Sequence, residues 1–319
     1  MYFKSNDYSY TVIQSKNNYV QKSTFGISFV ILNRGTKIFR EDLFEFLSNF
    51  DFIREIISIE KQSNRTSLQF ISENYDKLKF ILLSDDLNSG EKVNLAMKES
   101  ICSFVFVLQS DMYLLNPFWI PNIFDEIVKK NVLLVGGEFF DKEEEVVPSV
   151  FLPTIDKRQR LKVILINSER DYDKTLITMD YCGLYSKEKF IQLGGFDKRI
   201  KNEYFQRLDF GLRAIYFGES IHIYRKLRIQ YTALNVPEDL TKNRSFLIFL
   251  LKNYVPIFIG NGIKFSFLRF VRLCLKYGIN PFKFGREFKE IKYEIIKSSL
   301  RFKGDLKSAI ELWENNIID

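Results

Sequence analysis

One histidine, His222, serves the whole 319-residue chain, which excludes a His-rich metal site and leaves any Ser-His-Asp triad dependent on that residue. The three cysteines, Cys102, Cys182 and Cys274, are odd in number and far apart, so neither a disulfide framework nor a CxxC zinc site is available. The opening MYFKSNDYSY has no apolar stretch of the kind a secretory leader uses, and the expectation is a reducing, cytoplasmic setting. Nor is there an apolar run fit to span a bilayer, because the best candidate, residues 245–260, is interrupted by Lys252 and Pro256. Aromatic side chains, by contrast, are abundant: 32 Phe, 16 Tyr and 2 Trp. With 46% apolar and 27% charged residues the composition is that of a globular protein and not of a disordered one. The length suits one large α/β domain with an appendage, or two ordinary domains.

Charge is unevenly distributed. Residues 241–319 hold 15 Lys and Arg against 7 Asp and Glu, whereas the first 240 residues are close to neutral. A neutral body and a basic tail read as two functional parts. In the body, FGISFVIL (25–32) is a continuous apolar run that stops at Asn33-Arg34-Gly35, as expected of a buried parallel strand ending in a turn. Ile53–Ile59, Phe80–Leu83 and Phe104–Leu108 predict three further strands, with helices over 40–50 and Gly90–Ser100 between them. Strand–helix alternation of this kind gives a parallel sheet with helices on both faces, and its ligands bind beyond the carboxyl ends of the strands. The positions to examine are therefore Asn33, Glu60, Ser84 to Asp86, and Gln109 to Asp111. Elsewhere the pattern predicts a small hairpin within 8–22, an edge strand at Val132–Val135 turning at Gly136-Gly137, and two β-like runs in 160–185. A short helix with Ser186 as N-cap and a second helix over Leu208–Phe217 complete the body.

The strand-end residues resemble the nucleotide-sugar-dependent glycosyltransferases of the GT-A fold, specifically the family 2 type. VILNRG (30–35) is similar to that family's first strand and its Asn-Arg turn, and EIISIEKQS (55–63) to its second strand, with Glu60 at the first acidic position. NSGEKVNLA (88–96) resembles the element that pairs Gly90 with Asn94, and Gln109-Ser110-Asp111 stands fifteen residues beyond Asn94, where the family's Asp-x-Asp motif falls. LGGFDKRI (193–200), LDFGLRA (208–214) and LTKNRSFLIFL (240–250) extend the likeness to about residue 255. The resemblance implies an α/β GT-A mixed sheet over 25–240, after an N-terminal extension (1–24) and before a helical C-terminal region (241–319). It implies a nucleotide-sugar donor, a saccharide or lipid-linked acceptor, and Mn²⁺ or Mg²⁺ bridging the diphosphate leaving group. Asp111 would hold the metal, and Asn33, Glu60, Asn94, Gln109 and Asp111 would contact the donor. Asp209 or Glu203 would serve as the base of an inverting transfer. Hard divalent cations take oxygen ligands, and a positioned base contributes roughly 10²–10⁴-fold.

The chain departs from that pattern at two places. Gln109 replaces the first Asp of the motif, and Gln206-Arg207 stands where the family commonly carries Glu-Asp; a glutamine cannot deprotonate a hydroxyl and an arginine stays protonated. A non-catalytic protein that binds a nucleotide-sugar or a partner enzyme is therefore the alternative. Structural readings stand beside the functional ones: Asp111 as a turn or N-cap residue, Asp209 paired with Arg213 four residues on, Glu203 as a solvated helix residue, His222 as a strand residue. In the tail, residues 245–303 interleave apolar and basic side chains, as in GIKFSFLRFVRLCLKYG (262–278). Such a segment either lies on an anionic membrane surface or packs on the body with its lysines in water. No nucleic-acid motif is present, and no nucleic-acid partner is expected.

Overall fold

The structure is a computed structural model that describes residues 8–15, 26–34, 41–62, 65–157, 160–231, 238–260, 262–278 and 280–315. Its first half runs β1 (Tyr10–Gln14), β2 (Ile27–Leu32), α1 (Glu41–Ser48), β3 (Ile53–Lys61), α2 (Arg65–Ser72), β4 (Leu78–Leu83), α3 (Ser89–Glu99), β5 (Phe104–Gln109), β6 (Met112–Leu114) and α4 (Ile120–Lys130). Then follow β7 (Leu134–Phe140), β8 (Val146–Val147), β9 (Val150–Ile155), β10 (Leu161–Ile166), β11 (Tyr172–Thr175), β12 (Gly183–Ser186), α5 (Lys187–Leu193), α6 (Glu203–Tyr216) and β13 (Ile221–Tyr231). The tail adds α7 (Arg244–Asn253), β14 (Pro256–Ile259), β15 (Gly262–Phe265), α8 (Phe267–Lys276), α9 (Gly285–Lys297) and α10 (Leu306–Asn315).

An 11-stranded sheet is laid out in the order β1-β4-β3-β2-β5-β12-β7-β13-β11, with β6 added on β13 and β8 on β7. The pairs β4–β3, β3–β2 and β2–β5 are parallel, so β3, β2 and β5 bring Glu60, Leu32 and Gln109 to one edge. β12 runs antiparallel between β5 and β7, which makes the sheet mixed. The apolar run of β2 follows from burial on both faces. Phe29 and Ile31 enter the core beneath α1, α2 and α4, while Val30 and Leu32 enter the one beneath α3 and α5. α3 starts at a capping box, Asn88 accepting from Glu91 N and Glu91 accepting from Asn88 N, which fixes the helix directly behind the sheet edge.

Several sequence expectations are corrected. Residues 10–14 add a strand to the main sheet against β4, and residues 16–22, the second half of the expected hairpin, lie outside the described residues. Val132–Val135 leads into β7, an inner strand that starts at Leu134, and Gly136-Gly137 continues it without turning. A Cβ on Gly137 would come 2.5 Å from the Leu227 carbonyl oxygen, so glycine marks close backbone approach here. Of the runs in 160–185, LKVILI forms a two-stranded sheet with β9, while the stretch after Leu176 breaks at a turn before β12. Ser186 takes the N-cap place of α5 but makes no capping bond. α6 begins at Glu203, five residues before the expected start, because Asn202 caps it by accepting from Phe205 N.

The tail shares a core with the body. Phe246 to Leu251 of α7 are all buried with Phe205, Leu208 and Leu212 of α6, and with Phe270 of α8, Ile291 of α9 and Trp313 of α10. The expected membrane surface over 245–303 is therefore corrected in its first part: a helix apolar all round is a core helix. Among the described residues no helix is long and apolar enough to cross a membrane.

Gly211 tests this packing, because a Cβ there would collide with the Leu176 carbonyl oxygen. Helix propensity alone makes Gly→Ala stabilising by about 1 kcal/mol. We expect Gly211→Ala to destabilise instead, by roughly 1–3 kcal/mol in denaturant unfolding, because backbone must move to admit the methyl.

Candidate active site

The edge where β2, β3 and β5 end gathers most of the expected residues. Ser110 N donates to Leu32 O at 2.9 Å, holding the two strand ends together. Asn33 follows β2, and its Nδ2 donates to Glu60 Oε2 at 2.8 Å, while Ser58 Oγ donates to Glu60 Oε1 at 2.8 Å. Burial nevertheless dominates at Glu60: it pushes the carboxyl up to about 7, against the opposing pull of those two donors and of Lys92. Lys92 projects from the first turns of α3 and donates to Asn33 O at 3.3 Å. Burial lowers its pKa, and Glu203, Asp86 and Glu60 act against that shift. Asn33, Glu60 and Lys92 thus form one wall.

Beside it, joined through Ser110, stands a group that the sequence did not announce. Arg34 Nη2 lies 3.0 Å from Asp180 Oδ1, Arg34 Nη1 lies 4.0 Å from Asp111 Oδ2, and Arg34 Nη1 donates to Tyr231 Oη at 3.3 Å. Asp180 sits in the break between β11 and β12 with φ 49°, followed by Tyr181 with φ 62°, two adjacent left-handed residues of the kind that cluster where function constrains the backbone. Gln109 is buried and donates through Nε2 to Asp180 O at 3.0 Å, so it braces this turn. Two carboxylates, Asp111 and Asp180, therefore converge on one cationic group.

That convergence is the fit test for a divalent ion. The point between Asp111 and Asp180 already attracts a positive charge, and both offer the oxygen ligands that Mg²⁺ and Mn²⁺ prefer. Among the described residues there is no cluster of three or more His, Cys, Asp or Glu side chains able to hold a metal by themselves. A site of one or two carboxylates completed by substrate phosphates is the usual arrangement for such ions, and these residues fit it.

The remaining expected residues lie elsewhere. Asn94 is corrected from donor contact to brace: its Nδ2 donates to Phe196 O at 2.7 Å and its Oδ1 accepts from Phe196 N at 2.9 Å, tying α3 to the Gly-Gly-Phe-Asp loop. Asp209 is fully buried and accepts from Arg213 Nε at 2.9 Å, Lys252 Nζ at 2.7 Å and Asn253 Nδ2 at 3.1 Å. Burial alone would raise its pKa, but Arg213 and Lys252 outweigh it and hold the carboxyl below its ordinary value. A carboxylate so enclosed is a poor general base, since no acceptor hydroxyl reaches it, which leaves Glu203 as the other candidate. Glu203 is half-buried at the start of α6, and its Oε1 accepts from Ser89 N at 2.8 Å, which places it at the head of α3 near Lys92. Gln206 is buried, accepting from Tyr181 Oη at 2.8 Å, and Arg207 pairs with Glu238 at 2.6 Å. His222 stacks on Tyr172 at 4.3 Å in β13, in keeping with a strand residue, and burial lowers its pKa to about 4.

Two outcomes follow. Asp209→Asn leaves Arg213 and Lys252 short of a charge in a buried network, and we expect a loss on the order of 3–5 kcal/mol by denaturant unfolding, whereas Glu203→Gln leaves the midpoint nearly unchanged. Glu60 has a folded pKa of about 7 against an ordinary 4.5, so the folded chain binds its proton more tightly. The stability this contributes is complete below about pH 4.5, is lost as pH rises to about 7 and is level beyond, a change on the order of 3 kcal/mol. Unfolding curves across that range should show the slope in the wild type and not in Glu60→Gln.

No protein-family description matches the sequence, and no curated protein matches it. Solved structures do. One is GalNAc-T7, crystallised with UDP, GalNAc and Mn²⁺, at 10% identity and TM-score 0.54, with 85% of this chain and 57% of that chain aligned. Another is residues 1–349 of S. aureus TarS in complex with UDP-GlcNAc, at 15% identity and TM-score 0.51, covering 71% of this chain and 64% of that one. This chain thus spans about three-fifths of the length of each of these two structures. At these identities the likeness is one of architecture, a large mostly parallel sheet flanked by helices: the chain has the GT-A fold of those glycosyltransferases.

Proposed function

We propose that this chain transfers a sugar from a nucleoside diphosphate sugar to a hydroxyl of a saccharide or lipid-linked acceptor, with inversion at the sugar carbon, on the cytoplasmic side of a cell. The observation that carries the reading is the gathering of Glu60, Arg34, Asp111 and Asp180 where β2, β3 and β5 end. Glu60, held by Asn33 and Ser58, is a hydrogen-bond acceptor suited to a nucleobase N–H. Asp111, Asp180 and Arg34 would meet the diphosphate. Arg34 is suited to phosphate because its planar guanidinium binds two oxygens at once and stays charged. Asp111 and Asp180 would hold Mn²⁺ or Mg²⁺; when bound, that ion offsets the charge that builds on the departing diphosphate. Lys92 adds a further positive group on the side of Glu60. Glu203 takes the proton from the acceptor hydroxyl as the new bond to the sugar carbon forms and the bond to the diphosphate oxygen breaks on the opposite face. Its place at the head of α3, where it accepts from Ser89 N and is felt by Lys92, supports the role.

The second reading is a protein that binds the donor without turnover. Gln206 and Arg207 favour it, since both are engaged in internal contacts where the resemblance expects a carboxylate pair.

Calorimetry with UDP- and GDP-sugars, with and without Mn²⁺, together with a product-release assay, separates the two. The transferase reading expects cation-strengthened binding and sugar release. Asp111→Asn should weaken donor binding about tenfold or more and abolish the effect of Mn²⁺. Glu203→Gln should bind donor normally and lower turnover by roughly 10²–10⁴-fold. Binding without turnover in the wild type supports the second reading, and absence of binding to any donor defeats both.

A further inference from the structure

We propose that the outer face of α8 docks this chain on an anionic lipid surface. The inference stands apart from the cleft and does not depend on the reaction assigned to it. α8 is held from inside: Phe270 and Cys274 are buried in the core shared by α6, α7 and α9. Its opposite side is apolar and uncovered, with Leu268 71% and Leu275 69% exposed and Phe267 half-exposed at the start of the helix. Residues seven apart return to nearly the same side of an α-helix, within about 20°, so the two leucines form one ridge. Arg272 stands beside that ridge, and Arg269 and Lys276 lie further round, all three exposed. An apolar ridge bordered by long cationic side chains is the arrangement of a helix that lies in the headgroup plane, its leucines among the acyl chains and its cations at the phosphates.

Charge complementarity selects the occupant. Between Asp239 and Glu287 the sequence has no acidic residue, while it has nine Lys and Arg. Lys252 is taken by the buried network and Arg244 and Arg286 pair with Glu287 and Glu290. Lys264, Arg269 and Arg272 make no ion pair among the described residues, and all are exposed. α9 differs: Tyr293 and Ile296 are exposed among Lys289, Lys292 and Lys297, but Glu287, Glu290 and Glu294 share that helix, so the acid-free face belongs to α8. A protein partner could satisfy the leucines or the cations, but an anionic bilayer satisfies both along the length of a helix. No helix among the described residues is long and apolar enough to cross a membrane, so the mode is lying on the surface.

The test is co-sedimentation of the full chain with vesicles of phosphatidylcholine alone or with about one quarter phosphatidylglycerol. The expected result is binding to the anionic vesicles that weakens with salt, and little binding to the neutral ones. Two variants divide the contributions: L268S/L275S keeps the charge, and R269Q/R272Q/K276Q keeps the ridge. Each should weaken binding on the order of 100-fold or more, the scale set by three near-surface cations or by two buried leucines. Because all five side chains are exposed, thermal unfolding and UDP affinity should match the wild type; these controls also keep a failure here distinct from a failure of the transferase reading. The proposal is overturned if anionic vesicles are not bound or neutral ones are bound equally. It is also overturned if L268S/L275S binds like the wild type, which marks a patch for soluble polyanions. A dimer that dissociates in that variant overturns it as well, since a second copy then covers the ridge.

Discussion

The arrangement of helices behind the cleft depends on one ammonium group. Lys252 Nζ lies 2.9 Å from Asp197 Oδ2 and 2.7 Å from Asp209 Oδ2, and all three side chains are buried. Arg199 extends the network from Asp197 to Glu294 on α9, and Arg213 extends it from Asp209 to the carbonyls of Leu193 and Gly195. Removing so many charges from water carries a penalty of several kcal/mol per ion, so the network's worth as net stability is small compared with an apolar equivalent. What it does supply is geometry. Each carboxylate can be satisfied only if α6, α7 and the loop before α6 meet in one register. That register puts the first turn of α6 under the head of α3, where Glu203 meets Ser89. The position of the proposed base is thus set by contacts on the opposite side of its own helix.

The cleft carries its charge in pairs. Arg34 stands with Asp180 and Asp111, Arg207 with Glu238, and Lys92 feels Glu203, Asp86 and Glu60. A diphosphate entering such a place exchanges partners with groups already paired. Binding by exchange is less favourable than binding to unpaired cations, because every new hydrogen bond or ion pair replaces an existing one. A ligand that arrives with its own cation changes that balance, since it offers the two carboxylates a positive charge while Arg34 turns to the phosphate oxygens. The carboxylate convergence and the proposed cation dependence are two aspects of the same electrostatics.

The parts of the fold legible in the sequence are those where a local pattern and the final environment agree. FGISFVIL and FVFVL read as buried strands because both faces of that part of the sheet are covered, and Asn88 to Glu91 read as a helix start because a capping box is a local device. That Asn33, Glu60 and Asp111 stand close to one sheet edge was legible because they lie at or just beyond the ends of strands whose runs could be seen. Legibility failed where distant chain decided the outcome. Gly136-Gly137 looks like a turn until Leu227 is known to pass beside it, and the helix of residues 244–253 looks like a membrane-facing segment until α6 is known to cover it. Asp180 gave no signal, because neither a left-handed backbone nor proximity to Arg34 leaves a trace in residue spacing. Asp209 was misplaced for the related reason that its partner Lys252 lies in a segment read separately.

Gln206 shows how the local structure bears on the chemistry. Its Oε1 accepts from Tyr181 Oη, its Nε2 donates to Asp197 O, and Gly90 of α3 presses against it so closely that a Cβ there would collide with the amide. A carboxylate in its place could take the tyrosine bond but could not donate to the Asp197 carbonyl, and its charge would be wholly desolvated. An amide is the side chain this enclosure accepts. Arg207 is likewise held by Glu238, Thr178 O and the Tyr181 ring. The departure from the resembled pattern at 206–207 is therefore consistent with tight packing of α3 on α6. The side chain of this helix that is not enclosed in that way is Glu203, about one turn and 4.5 Å of rise earlier, which is why the proposed proton transfer is placed there.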